Sequence, residues 1–314
     1  MRFFSAAEID GLLNFPALVD ALAEAFRGDI VTPVRHHHEI ERPDAAATLL
    51  LMPAWTAPEA SPAFLGTKVV TVFPGNAAVS LPSVMGSYLL MDGATGAPLA
   101  AFDGARLTLW RTAAASALAS RMLERPDTKR MLMVGAGALS TFLVKAHRSV
   151  RHFEDIAIWA RRPEAAAEIV EELARDGIEA RVADNLEAEA RQADLISCAT
   201  LSREPLIQGR WLKRTAHLDL VGAFNLSMRE ADDEALQRAH VFVDTQAALH
   251  EGGDVAVAIK AGAYKAEQVS GTLAGLCRGE YDAAAERDDV TLFKSVGTAL
   301  EDLAAAMLVW KLAN

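Results

Sequence analysis

The stretch Lys129-Arg-Met-Leu-Met-Val-Gly-Ala-Gly-Ala-Leu-Ser140 constrains the fold of this chain more than any other. Met131 to Val134 are an apolar run of strand length, two glycines follow at once, and Ala138 to Arg148 reads as a helix. Strand, glycine turn and helix in that order open a dinucleotide-binding unit. Gly135 permits the tight turn, and Gly137 has no side chain to keep a pyrophosphate from the backbone. The helix N-terminus adds free N–H groups and a partial positive charge. The third glycine of the usual pattern is replaced by Ser140. The competing reading is a plain strand-to-helix turn that binds nothing, and the flanks decide between them.

From residue 129 onward, strands and helices alternate. The strands are Ile156 to Ala160, Ala180 to Val182, Asp194 to Ala199, His217 to Val221 and Val241 to Asp244. A helix from Glu164 to Asp176 turns Ile169, Leu173 and Ala174 inward. Such alternation implies a parallel sheet covered on both faces and favours the dinucleotide reading. Residues 1–103 differ. Ser5 and Glu8 form a capping-box pattern, and Phe15-Pro16 starts a second helix with Leu18, Leu22, Ala25 and Phe26 at helical spacing. Short β-like runs follow at Ala47 to Met52, Phe64 to Phe73 and Ser87 to Met91, and Asp92-Gly-Ala-Thr-Gly96 turns a hairpin into Pro98 to Phe102. A long alanine-rich helix covers 106–124. The predicted fold class is therefore α/β: a doubly wound Rossmann sheet over 119–295 plus a mixed α+β substrate and dimerisation domain over 1–118. The helix in 296–314 lies beyond the last sheet strand and returns to the first domain.

Composition narrows the function. The net charge is −11, which disfavours nucleic acid, since phosphate contacts need clustered basic residues. Cys198 and Cys277, the only cysteines, have no CxxC or histidine at ligand spacing. Two unpaired thiols fit a reducing compartment. The N-terminus meets acids too early for a signal peptide, and no apolar run reaches membrane-spanning length. The expectation is a cytoplasmic protein without membrane or metal; His36, His37 and His38 lack carboxylate or cysteine company.

The second strand of a dinucleotide unit usually ends in an acid that binds the ribose 2′-OH. Here it ends Ile158-Trp-Ala-Arg-Arg162. Guanidinium groups pair with a 2′-phosphate, so Arg161 and Arg162 select NADP(H) over NAD(H), unless they are merely solvated. Gly135, Gly137, Ala138, Leu139, Thr200, Val221 and Gly222 complete the candidate cofactor contacts. In the first domain Lys68 sits in Gly66-Thr-Lys-Val-Val-Thr-Val-Phe73, otherwise a buried strand, and Arg111 in a helix of Leu, Trp and Ala. A buried cation is costly unless paired. An anionic substrate would pair both; structural ion pairs with Asp or Glu would do the same.

Ordered segments across nearly the whole chain resemble the ornithine cyclodeaminase/mu-crystallin family. They are Pro33-Val-Arg35, Gly66-Thr-Lys68, Leu81-Pro-Ser83, Arg111-Thr-Ala-Ala-Ala-Ser-Ala117, Gly135-Ala-Gly137, Pro205-Leu-Ile207, Met228-Arg-Glu230, Gly253-Asp254 and Phe293-Lys-Ser-Val-Gly297. The resemblance implies a homodimer, carboxylate-binding roles for Arg35, Lys68 and Arg111, and Ser83 near a small imino or amino acid substrate. Cyclodeaminases of the family carry an Asp just after the two small residues that follow the fifth strand. This chain reads Val221-Gly-Ala-Phe-Asn225, so Phe224 stands there, and a phenyl ring cannot accept a proton. With the NADP(H) reading, this favours the branch that reduces cyclic ketimines to L-proline and L-pipecolate. The alternatives are ornithine cyclodeamination, an alanine dehydrogenase-like reaction, and a crystallin-like protein that binds NADPH without turnover.

Overall fold

The computed structural model describes residues 1–42, 46–79 and 81–314. Contacts divide it into two units, Met1–Thr112 with Thr298–Asn314, and Ala113–Gly297. No helix among the described residues is long and apolar enough to cross a membrane.

The first unit begins β1 (Arg2–Phe4), α1 (Ala6–Leu12), α2 (Phe15–Arg27), β2 (Ile30–Val31), β3 (His36–Ile40), β4 (Ala47–Thr56), β5 (Phe64–Val72), β6 (Val84–Asp92) and β7 (Pro98–Asp103). The helix α3 (Gly104–Leu123) follows, and the division falls within it. The sheet order is β1-β7-β6-β5-β4-β2, with β3 also paired to β4. Only β1 runs parallel to its neighbour; the other pairings are antiparallel. The β6–β7 hairpin forms where the turn residues place it: the Asp92 carboxylate accepts from the Ala94 and Thr95 N–H groups, and Gly96 takes φ +74°. The Ser5–Glu8 capping box closes α1, and Asn14 caps α2. β1 has three residues, too few to show a period in the sequence, and is held by Phe4 stacked on Phe102 at 5.0 Å. The three histidines belong to the exposed strand β3.

The second unit alternates: β8 (Arg130–Val134), α4 (Ser140–Val150), β9 (Asp155–Trp159), α5 (Pro163–Arg175), β10 (Arg181–Val182), α6 (Leu186–Ala190), β11 (Leu195–Cys198), β12 (His217–Leu220), α7 (Asp233–Arg238) and β13 (Ala239–Val243). Then come α8 (Ala248–Glu251), α9 (Gly253–Lys260), β14 (Gly271–Thr272), α10 (Leu273–Arg278), α11 (Ala283–Glu286) and β15 (Val290–Lys294). The sheet order is β10-β9-β8-β11-β12-β15-β13-β14, all parallel. The order reverses between β8 and β11, and in open parallel sheets the ligand crevice lies outside the strand ends at that point. Two readings need correction. The central strand β15 went unassigned although Val290 to Lys294 is wholly buried, because Thr291 and Lys294 break its apolar run. On α5, Ile169 and Leu173 are buried but Ala174 is exposed, one step past the inward face.

Buried polar groups pin the second half of α3 within this unit. Asp219 accepts from Ser116 (2.9 Å) and Ser197 (2.7 Å), His147 Nε2 lies 3.2 Å from it, and Ser120 Oγ lies 3.0 Å from His147 Nδ1. The row resembles a hydrolase triad, but all of these side chains are fully buried, so it is a structural tie. Cys198 and Cys277 are buried free thiols.

The last helix, α12 (Ala299–Leu312), belongs to the first unit, where it packs against α2, β4, β5 and β6. It is apolar nearly all round, yet Glu301 and Asp302 in its first turn are completely buried.

Candidate functional site

In the first unit, the pleat of β5 turns Lys68 inward opposite Tyr88, and α3 carries Arg111 to the same place. Lys68 is 3% exposed and Arg111 6%. Both meet Asp302: Lys68 Nζ donates to Oδ1 at 2.9 Å and lies 2.7 Å from Oδ2 in an ion pair, and Arg111 Nε donates to Oδ1 at 2.9 Å. Arg111 also donates to Glu301 at 2.6 Å. The structure brings these two cations together, and their partners here are two carboxylates of α12. This was the structural alternative left open by the sequence. The Glu301-Asp302 dipeptide, an acidic pair inside an alanine- and leucine-rich helix, was the missed signal. Burial, then the neighbouring Arg111, brings the Lys68 ammonium down to about 8. Tyr88 seals the floor: its hydroxyl is buried and sits where a Cβ on Gly66 would come within 2.0 Å. Arg35, between β2 and β3, and Ser83, just before β6, are half-buried. The Ser83 carbonyl accepts from Phe73 N–H at 2.7 Å.

In the second unit, a cleft of about 580 Å³ opens where β8, β9 and β11 end. Gly135, Gly137, Arg161, Arg162 and Thr200 line it, and so do Trp159, Ala199, Leu201 and Ser202, which no motif in the sequence marks. Ala138, Leu139, Val221 and Gly222 are outside its lining. Ala138 and Leu139 form the turn before α4, which starts at Ser140 and has no side-chain cap on its N-terminus. Phe224 follows Gly222 and Ala223 beyond β12 and is 47% exposed.

The turn fits a dinucleotide. Gly135 has φ +122°, and a Cβ there would lie 2.5 Å from the Ala199 carbonyl, so only glycine serves. A Cβ on Gly137 would meet nothing within 4 Å: its space faces the open cleft. Ser140, standing where a third glycine is usual, is fully buried; its hydroxyl donates to Gly135 O (3.0 Å) and accepts from Gly137 N–H (3.1 Å). It pegs the turn from beneath. The exposed Arg161 and Arg162 flank the cleft where an acid would otherwise stand.

Among the described residues no cluster of three or more His, Cys, Asp or Glu could hold a metal.

The family model described as "Ornithine cyclodeaminase/mu-crystallin family" matches residues 2–314. Protein SAR DEFICIENT 4 of Arabidopsis thaliana is 41% identical, covering 94% of this chain and 94% of its own. The Δ1-pyrroline-2-carboxylate reductase of Paracoccus denitrificans is 36% identical, covering 98% and 96%. The structure of Thermococcus litoralis Δ1-pyrroline-2-carboxylate reductase in complex with NADH and L-proline superimposes with a TM-score of 0.92 at 31% identity, covering 100% of this chain and 97% of that one.

Proposed function

Because the chain belongs to the ornithine cyclodeaminase/mu-crystallin family, we propose that it is an oxidoreductase acting on C=N bonds, with cyclic ketimines as substrates. It reduces Δ1-pyrroline-2-carboxylate and Δ1-piperideine-2-carboxylate to L-proline and L-pipecolate, using NADPH. The observation that carries the reading is the buried convergence of Lys68 and Arg111 on Asp302. Guanidinium beside ammonium is a receptor for a small carboxylate. Similarity to reductases of Δ1-pyrroline-2-carboxylate supports the same substrate class.

A nicotinamide held by the cleft residues would supply hydride for the C=N carbon of the imine. The chain's own residues do the rest. Arg111 and Lys68 orient the substrate carboxylate, with Arg35 and Ser83 completing its contacts. Lys68, with its ammonium near 8, gives a proton to the imine nitrogen as hydride arrives, leaving a neutral secondary amine. Asp302 and Glu301 hold both cations in place before substrate enters. Phe224, just past β12, has an apolar ring where a cyclodeaminase would have a carboxylate to handle an amine, which weighs against cyclodeamination.

In the cleft, Gly135, Gly137 and the start of α4 take the pyrophosphate, with Ala138 and Leu139 beside it. Thr200, Val221 and Gly222 bear on the nicotinamide end, and Arg161 and Arg162 bind a 2′-phosphate. The protein acts as a homodimer in the cytoplasm, the dimer being testable by light scattering. The deciding experiment follows NADPH oxidation with pyrroline-2-carboxylate, piperideine-2-carboxylate, pyruvate plus ammonia, and pyruvate plus methylamine. Turnover of the cyclic imines alone bears the reading out. Turnover only with pyruvate and ammonia replaces it with an alanine dehydrogenase, and ammonia release from ornithine replaces it with a cyclodeaminase.

A further inference from the structure

Behind the cleft wall of the second unit lies a second buried charge cluster, which the proposed chemistry does not use. Glu230 is completely buried, and its carboxylate accepts four hydrogen bonds from two separate loops. Oε1 takes the N–H (2.6 Å) and the hydroxyl (2.9 Å) of Thr200, just past β11. Oε2 takes the N–H groups of Gly222 (2.7 Å) and Ala223 (3.1 Å), just past β12. Glu230 is itself held from behind: Asp254 of α9 accepts from the N–H groups of Glu230 (2.7 Å) and Ala231 (3.0 Å). Asp254 in turn lies 3.2 Å from the Lys294 ammonium on β15, both fully buried. The two loops touch: a Cβ on Gly222 would come within 2.1 Å of the Thr200 carbonyl and 2.5 Å of Glu230 Oε1. Thr200 lines the cofactor cleft.

We propose that Glu230 is a positioning residue for the dinucleotide, one carboxylate that locks the β11 and β12 loops together and so sets the wall of the cleft at Thr200. The proposal rests on the cleft being the cofactor site. Only a carboxylate satisfies the geometry: four donors converge, and a carboxylate accepts through both oxygens. A glutamine would accept through one oxygen and turn an NH₂ group toward donors at the other, freeing one loop. A protonated glutamic acid does the same. The charged and titratable groups facing Glu230 are Asp254 on α9, Lys294 on β15 and the Cys198 thiol on β11; the adjacent Arg229 bonds instead to Asp233 and the Ala231 carbonyl. Burial pushes the Glu230 carboxyl up to about 7, with Lys294 opposing and Asp254 adding to the rise. The clamp is therefore complete above that pH and loosens below it.

The test uses NADH, because the 2′-phosphate of NADPH itself titrates near neutrality. Its Kd is measured by fluorescence for the full chain and for Glu230→Gln, between about pH 6 and about pH 8, a unit either side of the Glu230 titration. The expected result is a wild-type Kd that rises several-fold as pH falls through about 7. Glu230→Gln should bind about tenfold more weakly at the alkaline end, with no dependence on pH, while still melting cooperatively. Saturable wild-type binding that ignores pH overturns the clamp alone, and so does a Glu230→Gln protein that binds as wild type. Absence of wild-type binding of both NADH and NADPH at about pH 8 overturns the cofactor reading and the clamp with it; should NADPH alone bind, wild type and Glu230→Gln are compared with NADPH at that pH. Should Glu230→Gln fail to fold, the wild-type titration decides by itself.

Discussion

Lys68 Nζ lies 2.7 Å from Asp302 Oδ2 and 2.9 Å from Oδ1, though the two residues are 234 positions apart in the chain. The pair is buried on both sides, so neither charge has water to fall back on. Removing Asp302 leaves the Lys68 ammonium desolvated and without that carboxylate. Asp302→Ala should cost about 3–5 kcal/mol of stability, seen as a lower midpoint in urea or heat. Asp302→Asn, which keeps a hydrogen-bond acceptor, should lose less.

The same pair should set a pH limit on turnover. Burial and Arg111 bring the Lys68 ammonium down to about 8, so the proton-donating form is lost above that value. The rate at saturating substrate should be flat below about pH 8 and fall tenfold per unit above it. Lys68→Arg, which keeps the charge but not the titration, should lose turnover by about 10²–10⁴-fold while binding NADPH nearly as well. Lys68→Ala and Arg111→Ala should likewise abolish turnover and spare cofactor binding; turnover that survives both changes would end the site assignment. Stability follows its own sign. The folded value lies below the unfolded one near 10.4, so the unfolded chain binds more protons between the two, and the Lys68 contribution rises as pH climbs through that window.

Glu124 on α3 gives the opposite slope. Burial pushes its carboxyl up to about 8, against the opposing pull of Arg151, whose Nε lies 3.6 Å away, and of Thr128. The folded state holds a proton that the unfolded state releases near 4.3, so stability falls as pH rises from there to about 8. Glu124→Gln should flatten this decline, raising the melting temperature at alkaline pH and changing it little at acid pH.

The two glycines of the β8–α4 turn should fail differently. Gly135→Ala forces a side chain into a left-handed backbone 2.5 Å from the Ala199 carbonyl, and should lower the melting temperature. Gly137→Val enters open cleft, and should leave melting unchanged while weakening NADPH and NADH binding alike, by isothermal calorimetry.

How much of this was legible in the sequence follows the distance over which each cause acts. The glycine turn, the β6–β7 hairpin and the Ser5–Glu8 box are local, and the residues that cause them lie within a few positions. Lys68 and Arg111 announced themselves as cations in apolar company, because burial of charge is visible from its neighbours. Their counter-charges were not, since pairing with Glu301 and Asp302 depends on where a distant helix lands. β15 was missed for a related reason: Thr291 and Lys294 look like surface residues until His217 and Asp254 are seen beside them.

Replacing the two guanidinium groups at the cleft should change the choice of cofactor. A charge-assisted hydrogen bond is worth about 1.5–3 kcal/mol, so Arg161→Ala with Arg162→Ala should cut kcat/KM for NADPH by about 10–100-fold or more. The value for NADH should scarcely move. Equal losses with both cofactors, or equal efficiency of the wild type with both, would remove these residues from that role.

That α12 belongs to the first unit has a consequence for synthesis on the ribosome. Lys68 emerges 234 residues before Asp302, a delay of roughly ten to fifty seconds at ordinary translation rates. Through that interval the nascent first unit holds two cations that nothing has yet neutralised. The second unit, continuous in sequence, can finish folding before the first one does. The core of the first unit is therefore closed only once α12 has been made, after the whole of the second unit.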